Sequence, residues 1–300
     1  SLSQAAPLPH PGLPTGKIGN LEISRLISGG NLISGWAHAR DLNYVHQLMR
    51  HYNDDEKVMD TLEQLEENGV NTIIADPSER PYRIFPRYWA ERGGKMQWIA
   101  EGHPSLDDLK TDILTSVDKG ASAIYIQGVI GDLWLRQGQS DRLADCLEII
   151  KSQGLPAGIG AHMLDVIQIS EERHYGAEFY VKTFHHDAYW SAIPAENRKP
   201  YCWYDGDKKE HDHYHDNIWC LNPAETAAFM RQVDKPWIAF KTLAAGAIHP
   251  QDGFRYAFEN GADFICVGMF DFQVTEDAVI ARSILADPAL QQKRTRPWRA

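Results

Sequence analysis

The sequence predicts an α/β fold: a single (β/α)8 TIM barrel with an N-terminal β-hairpin and a long loop insertion after the sixth strand. Two observations predict it. Short, apolar, β-rich runs alternate with helical patterns along the whole chain, and eight such units can be read. Parallel strands need helical crossovers, and eight of them close into a barrel. The 300 residues are 43% hydrophobic and 24% charged, enough apolar material for one large core. The alternative, an open doubly wound sheet, would show a Gly-rich phosphate loop after its first strand, and Gly29-Gly30-Asn31 is a weak match.

The elements follow in order. A hairpin pairs Lys17-Ile18 with Leu21-Glu22-Ile23, turning at Gly19-Asn20. The eight barrel strands are expected at 25–28, 71–75, 96–100, 123–126, 157–160, 179–182, 237–240 and 264–267. A long loop, 29–53, follows the first strand and holds Trp36, His38, Arg40 and Asp41. The next helix opens at Asp54, buries Val58, Leu62 and Leu65, and stops at Gly69. Later helices carry Leu109, Ile113 and Val117, then Leu143, Leu147 and Ile150, then 166–172. After the sixth strand a polar, aromatic-rich insertion spans 191–221. The helix beyond it has the clearest start: Asn222 as cap, Pro223 at the first position, Glu225 as reciprocal acid. The last two lie around 254–259 and 275–285. Residues 1–14 read as a leader or linker, 15–290 as the barrel with its insertion, and 291–300 as a solvated C-terminal tail holding Lys293, Arg294, Arg296 and Arg299.

The formal net charge is −11, and an acidic surface repels phosphate backbones and anionic lipids, so neither nucleic acid nor membrane is an expected partner. No stretch approaches the ~20 apolar residues of a membrane span. Four cysteines, Cys146, Cys202, Cys220 and Cys266, include no CxxC pair. Cys146 and Cys266 sit in apolar runs, and Cys202 and Cys220 flank one loop as free thiols or a disulfide.

A barrel places function where its strands run out into loops. The polar residues just past each apolar run are Asn31, Asp76, Glu101 with His103, Gln127 with Asp132, His162 with Asp165, Lys182 with His185, His186 and Asp187, Lys241, and Asp271. Each alone has a structural explanation, and Asp76-Pro77-Ser78 is also a good turn. Their convergence on one rim points to an enzyme with a polar small-molecule substrate. Lys182 and Lys241 each follow an apolar strand directly, where desolvation favours a neutral amine. Either can serve as a clamp for a substrate oxyanion or as a Schiff-base nucleophile. His162, His185 and Glu101 form a candidate divalent-metal set, with Asp76 able to join them. His211, His213 and His215 in the insertion read as a solvated loop or a second metal cluster. Tyr201, Trp203, Tyr204 and Trp219 read as a sugar platform or as loop anchors.

The run Gly16-Lys17-Ile18-Gly19-Asn20-Leu21-Glu22-Ile23-Ser24-Arg25-Leu26-Ile27-Ser28-Gly29-Gly30 resembles the start of an aldo/keto reductase. The helix from Asp54 and the second strand through Asp76 continue the resemblance. It implies a (β/α)8 barrel, NADP, and an Asp, Tyr, Lys, His tetrad. Asp76 matches the Asp, and Tyr82 matches the Tyr loosely, one residue late. The lysine expected at strand three is replaced by Ala100-Glu101-Gly102-His103, and the histidine expected at strand four by Gln127-Gly128. Val267-Gly268-Met269-Phe270-Asp271 stands where the Lys/Arg-rich NADP-phosphate motif belongs. The resemblance therefore implies the fold more than the reductase reaction. Locally, Ala177-Glu178-Phe179-Tyr180-Val181-Lys182-Thr183 resembles the Schiff-base strand of deoxyribose-phosphate-type class I aldolases. Phe240-Lys241-Thr242-Leu243-Ala244-Ala245-Gly246-Ala247-Ile248 is similar to their following strand. The chain also resembles exported bacterial aldo/keto-reductase-like proteins with a twin-arginine leader, which implies the periplasm over the cytoplasm.

The reading that combines these is a barrel enzyme acting on a sugar, sugar derivative or other small polyhydroxylated or carbonyl compound by lyase, isomerase or hydrolase chemistry. Lys182 or Lys241 is its electrophile, His162 or His185 its acid/base, and Asp76 and Glu101 orient them. Asn31, Gln127, His103, Tyr82, Trp203 and Asp271 are the expected substrate contacts. No cofactor is assigned; a divalent metal is the first alternative and NADP a lesser one, and a homo-oligomer is left open. The competing classes are an NADP-dependent reductase, a metal-dependent hydrolase or isomerase, and a non-catalytic sugar-binding barrel.

Overall fold

The structure, a computed structural model, describes residues 12–39, 42, 44–199 and 218–300. Strands β1 (Thr15–Ile18) and β2 (Leu21–Ser24) form the antiparallel hairpin, with Ile18 opposite Leu21. Its turn uses Gly19 at φ 58°, a conformation glycine adopts without a Cβ clash. Eight parallel strands follow: β3 (Leu26–Gly29), β4 (Thr72–Ala75), β5 (Gln97–Gly102), β6 (Ala123–Ile126), β7 (Ala157–Ala161), β8 (Phe179–Thr183), β9 (Trp237–Phe240) and β10 (Phe264–Gly268). They close in the order β10-β3-β4-β5-β6-β7-β8-β9. At the seam, Cys266 pairs with Ile27 and Gly268 with Gly29. The fold is the TIM barrel the sequence predicts, hairpin included.

Strands covered on both faces read as unbroken apolar runs, so their alternation is hidden in the sequence. The structure separates the two faces. Ile27, Ile74, Ile99, Tyr125, Phe179, Val181, Ile238 and Phe264 point inward and pack together with Ile18 and Ile23 of the hairpin, which plugs the amino-terminal end of the barrel. Ile73, Trp98, Ile124, Ile159, Tyr180, Trp237 and Ile265 point outward, under the helices.

The helical layer holds more helices than expected, and some begin elsewhere. The loop at 29–53 contains α1 (Asn31–Ser34) and α2 (Tyr44–Tyr52) before α3 (Asp55–Glu67). Helix α2 turns Val45 and Met49 inward and leaves Tyr44, Leu48 and Tyr52 exposed, so three of its five apolar residues lie outside the buried face. The remaining helices are α4 (Glu79–Arg92), α5 (Thr111–Asp118), α6 (Gly128–Arg136), α7 (Arg142–Ser152), α8 (Leu164–Glu172), α9 (Pro223–Met230), α10 (Pro250–Glu259), α11 (Asp271–Ala286) and α12 (Pro288–Lys293). Asp54 caps α3 as expected, accepting from Lys57 N at 2.8 Å. Asn222 takes the N-cap position of α9 with Pro223 at the first position, as expected, but its side chain makes no bond to the helix backbone; its amide donates instead to the Glu225 carboxylate at 2.8 Å. Helix α11 begins four residues before Thr275, where Phe270 N donates to Gln273 Oε1. Among the described residues no helix is long and apolar enough to cross a membrane.

The C-terminal basic run is not a solvated tail. Arg296 is 1% exposed, and its guanidinium lies 2.6 Å from Asp263, itself fully buried just before β10. The Asp263 carboxylate also accepts from Trp237 N at 2.9 Å and from Arg299 N at 2.7 Å, with Arg294 at 3.4 Å. Arg25, just before β3, donates to Asp263 O and Ala300 O and lies 3.9 Å over the Trp298 ring. The bases of β9, β10 and β3 are thereby tied to residues 294–300. Charge count alone reads such a run as solvent-exposed; the buried carboxylate that neutralises it lies about 30 residues earlier in the sequence. Asp263→Ala is expected to lower the unfolding free energy by about 3–5 kcal/mol, because it strands a buried guanidinium. The exposed Lys293→Ala control should stay within about 0.5 kcal/mol in the same urea titration.

Candidate active site

A cavity of about 460 Å³ opens at the carboxyl ends of the strands, above the β10–β3 seam. Its walls come from Gly29, Asn31, Trp36 and His38 on the β3 side, Glu101 of β5, Tyr125 of β6, Phe240 and Lys241 of β9, Cys266 and Gly268 of β10, and Trp219 from the end of the insertion. Gly29 is required at the seam, since a Cβ there would lie 2.9 Å from Gly268 N.

Lys241 is the cation in this cavity. By strict alternation it should point outward, because Ile238 and Phe240 point in. Its φ of 108° breaks the alternation and returns the side chain to the cavity. A left-handed backbone at a residue other than glycine costs on the order of 1–3 kcal/mol and clusters at functional sites. Lys241 Nζ donates to His38 Nε2 at 2.6 Å and lies 4.1 Å from the centre of the Trp219 ring. Asn31 Nδ2 lies 3.2 Å from the same His38 nitrogen, and the His38 and Trp219 rings are 4.7 Å apart.

Lys182 follows the same alternation without the break. It points outward and is fully buried, donating to Thr183 O at 2.8 Å and Thr183 Oγ1 at 3.0 Å. It does not line the cavity, which corrects its expected role as electrophile. Thr183 Oγ1 donates to Trp219 O at 2.8 Å. His185 Nε2 accepts from Trp219 N at 2.9 Å and Cys220 N at 3.1 Å, while its Nδ1 donates to His186 O at 2.7 Å. Both ring nitrogens of His185 are therefore engaged by backbone, so it anchors the returning limb of the insertion rather than acting as acid/base or metal ligand. Burial pulls its pKa down to about 4, Lys182 adding to the effect against the His186 carbonyl.

His162 sits beneath the cavity. Its Nδ1 is 2.8 Å from Asp132 Oδ2, and its ring packs on Phe240 and Trp219 at 5.5 and 5.9 Å. Burial lowers its pKa, against Asp132, which raises it; Lys241 and Lys182 lower it further. Among the described residues no three His, Cys, Asp or Glu side chains converge to hold a metal. The candidate set fails geometrically: His162 is directed to Asp132, His185 to backbone, and Glu101 to His103 at 3.5 Å.

Glu101 does reach the cavity. Burial, the Glu101 charge and Cys266 hold the Tyr125 phenol well above its ordinary value, and a hydrogen bond to Glu101 adds to this, so the phenol stays protonated. Burial and Glu101 likewise push the Cys266 thiol up, opposed by Lys241. Burial pulls the His103 pKa down, but Glu101, Asp112 and Asp76 more than reverse that, leaving it raised. Asp76 is buried beside the site and accepts from Ser34 Oγ.

Other expected contacts lie elsewhere. Tyr82 is on the helical layer, 3.4 Å from Ser116 Oγ and edge-on to Trp98. Gln127 caps α6, its backbone N donating to Gly102 O. Asp271 starts α11 and accepts from Tyr52 and Lys57 at 2.6 and 2.9 Å, outside the cavity wall. Asn31 is where it was expected. Trp203, Tyr201, Tyr204, His211, His213, His215 and Cys202 lie outside the described residues. Cys146, Cys220 and Cys266 are free thiols. Sequence reasoning did not select His38, Tyr125 or Cys266 for the site; the Trp36-x-His38 spacing in the long first loop was the available signal for the first.

No family model matches the chain, and no curated protein matches it. Solved structures do. The candidate aldo-keto reductase PA4992 of Pseudomonas aeruginosa is 13% identical, with a TM-score of 0.59 over 90% of this chain and 95% of that one. A variant of Gox0644 in complex with NADPH is 8% identical, with a TM-score of 0.57 over 95% and 93%. Yersinia pestis dihydropteroate synthase, in complex with a sulfonamide drug, is 12% identical, with a TM-score of 0.50 over 91% and 99%. At these identities the likeness shows the barrel fold, shared with an aldo-keto reductase-like protein among others.

His185 makes a pH prediction. The unfolded imidazole takes up a proton near 6.5, whereas the folded one stays neutral to about 4. The unfolded state therefore binds more protons in between, and stability falls as pH falls through that window. Urea unfolding should show a loss of about 2 kcal/mol from this residue between pH 7 and pH 5. A His185→Asn variant should lack that component; an unchanged pH slope would show that His185 does not carry it.

Proposed function

We propose that the chain is an enzyme acting on a small polyhydroxylated or carbonyl compound, such as a sugar or sugar derivative, with Lys241 as the group that polarises the substrate. The reaction class is lyase, isomerase or hydrolase. The observation that carries this reading is the placement of Lys241: a strained backbone turns its ammonium into the cavity, where His38 and the Trp219 face fix it. The cavity volume suits a small metabolite, since such sites run to roughly 300–1,000 Å³. Trp36 and Phe240 offer flat faces for the apolar side of a sugar ring. Glu101, hydrogen-bonded to the protonated Tyr125, supplies a carboxylate acceptor on another wall. A fixed cation at a developing oxyanion is worth about 10²–10³ in rate.

An NADP-dependent reductase is less well supported. Tyr82 lies away from the cavity, and Glu101 and Gln127 stand where that family's lysine and histidine belong.

The test is turnover of a panel of aldoses, ketoses and sugar acids, followed by mass spectrometry. Lys241→Met should reduce turnover at least about 100-fold. Lys182→Met should leave turnover within about tenfold, because its side chain faces the helices. Full activity in Lys241→Met would exclude the reading.

A further inference from the structure

We infer that Lys241 and His38 form a proton-transfer pair that makes the lysine a nucleophile toward aldehydes and ketones. This rests on Lys241 being the substrate-facing group and goes beyond it, since a clamp keeps its proton and a nucleophile must lose one. The argument begins with the donors. Lys241 Nζ and Asn31 Nδ2 can only donate, and both address His38 Nε2, at 2.6 and 3.2 Å. That nitrogen is therefore the acceptor, and the proton of the neutral ring sits on Nδ1. A lone pair already aligned on the lysine receives its proton along the existing hydrogen bond. Trp219 holds the His38 ring at 4.7 Å and fixes this geometry. Asn31, on the first turn after β3, orients the same nitrogen.

The step balances as follows. The Lys241 ammonium gives one proton to His38 Nε2. The freed amine pair forms a C–N bond with the substrate carbonyl carbon, and the C=O π pair moves to oxygen. His38 returns its proton to that oxygen, giving a carbinolamine with a cationic nitrogen. His38 then takes a proton from this nitrogen and delivers it to the hydroxyl, which leaves as water. Ammonium plus carbonyl becomes iminium plus water, and His38 ends unchanged.

The probe is 2,4-pentanedione, a 1,3-diketone that converts a nucleophilic lysine to an enaminone read by absorbance and located by peptide mass spectrometry. Lys241 should react faster than the exposed Lys119 in the intact protein at pH 7. His38→Ala should slow labelling at Lys241 by about tenfold or more, and added imidazole should restore a substantial part of the rate, as expected for a missing proton carrier. His38→Gln keeps an acceptor and fills the ring's space but cannot carry a proton, so it should show the same loss. Unchanged labelling in both variants, or a loss that imidazole does not rescue, overturns the role of His38. If wild-type Lys241 labels no faster than Lys119, the nucleophile is excluded, while a Lys241→Met loss of turnover would still stand for the clamp.

Discussion

Closure of the seam between β10 and β3 is the constraint from which the rest of the structure follows. The two strands come from opposite ends of the chain, and their pairing brings Gly268 against Gly29 at the top and Asp263 near Arg25 at the base. At the top, the absence of side chains leaves the space that becomes the cavity. At the base, a buried carboxylate gathers Arg296, Arg294 and two backbone amides. Such a cluster is net favourable only when nearly every charge and polar group in it is matched. One seam thus serves two purposes at its two ends: open space for a ligand, and a dense ionic lock.

The two lysines show how little sequence separates a structural residue from a reactive one. Lys182 follows the three-residue run Phe179-Tyr180-Val181 and Lys241 follows β9 directly, and strand alternation would turn both outward. Lys182 keeps that position and ends as a buried donor to Thr183. Lys241 leaves it through a single left-handed backbone dihedral. The first nevertheless supports the second. Thr183 and His185, on the segment continuing from Lys182, hold the backbone of Trp219, and Trp219 holds the ammonium of Lys241.

The barrel was legible because eight apolar runs and their helical crossovers leave few other topologies. The hairpin and the Asp54 cap were legible from local chemistry. The direction of each side chain was not. In Phe179-Tyr180-Val181 every residue is apolar because both faces of the strand are covered, so nothing marks Lys182 as outward-facing. The break at Lys241 is equally silent, since no glycine announces its positive φ. Of the candidate set, Glu101, Asn31 and Lys241 were found by position after a strand. His185 satisfied the same rule but was claimed by backbone amides 34 and 35 residues away. His38 was passed over because it lies nine residues beyond β3, inside the long first loop rather than directly after an apolar run.

The lock at the base also couples two distant parts of the fold. Asp263 is buried only because Arg296 and Arg294 reach it from the segment after α12. Detaching that segment would leave a buried carboxylate at the foot of β10 short of its partners, so the segment and the β10–β3 seam behave as one cooperative unit.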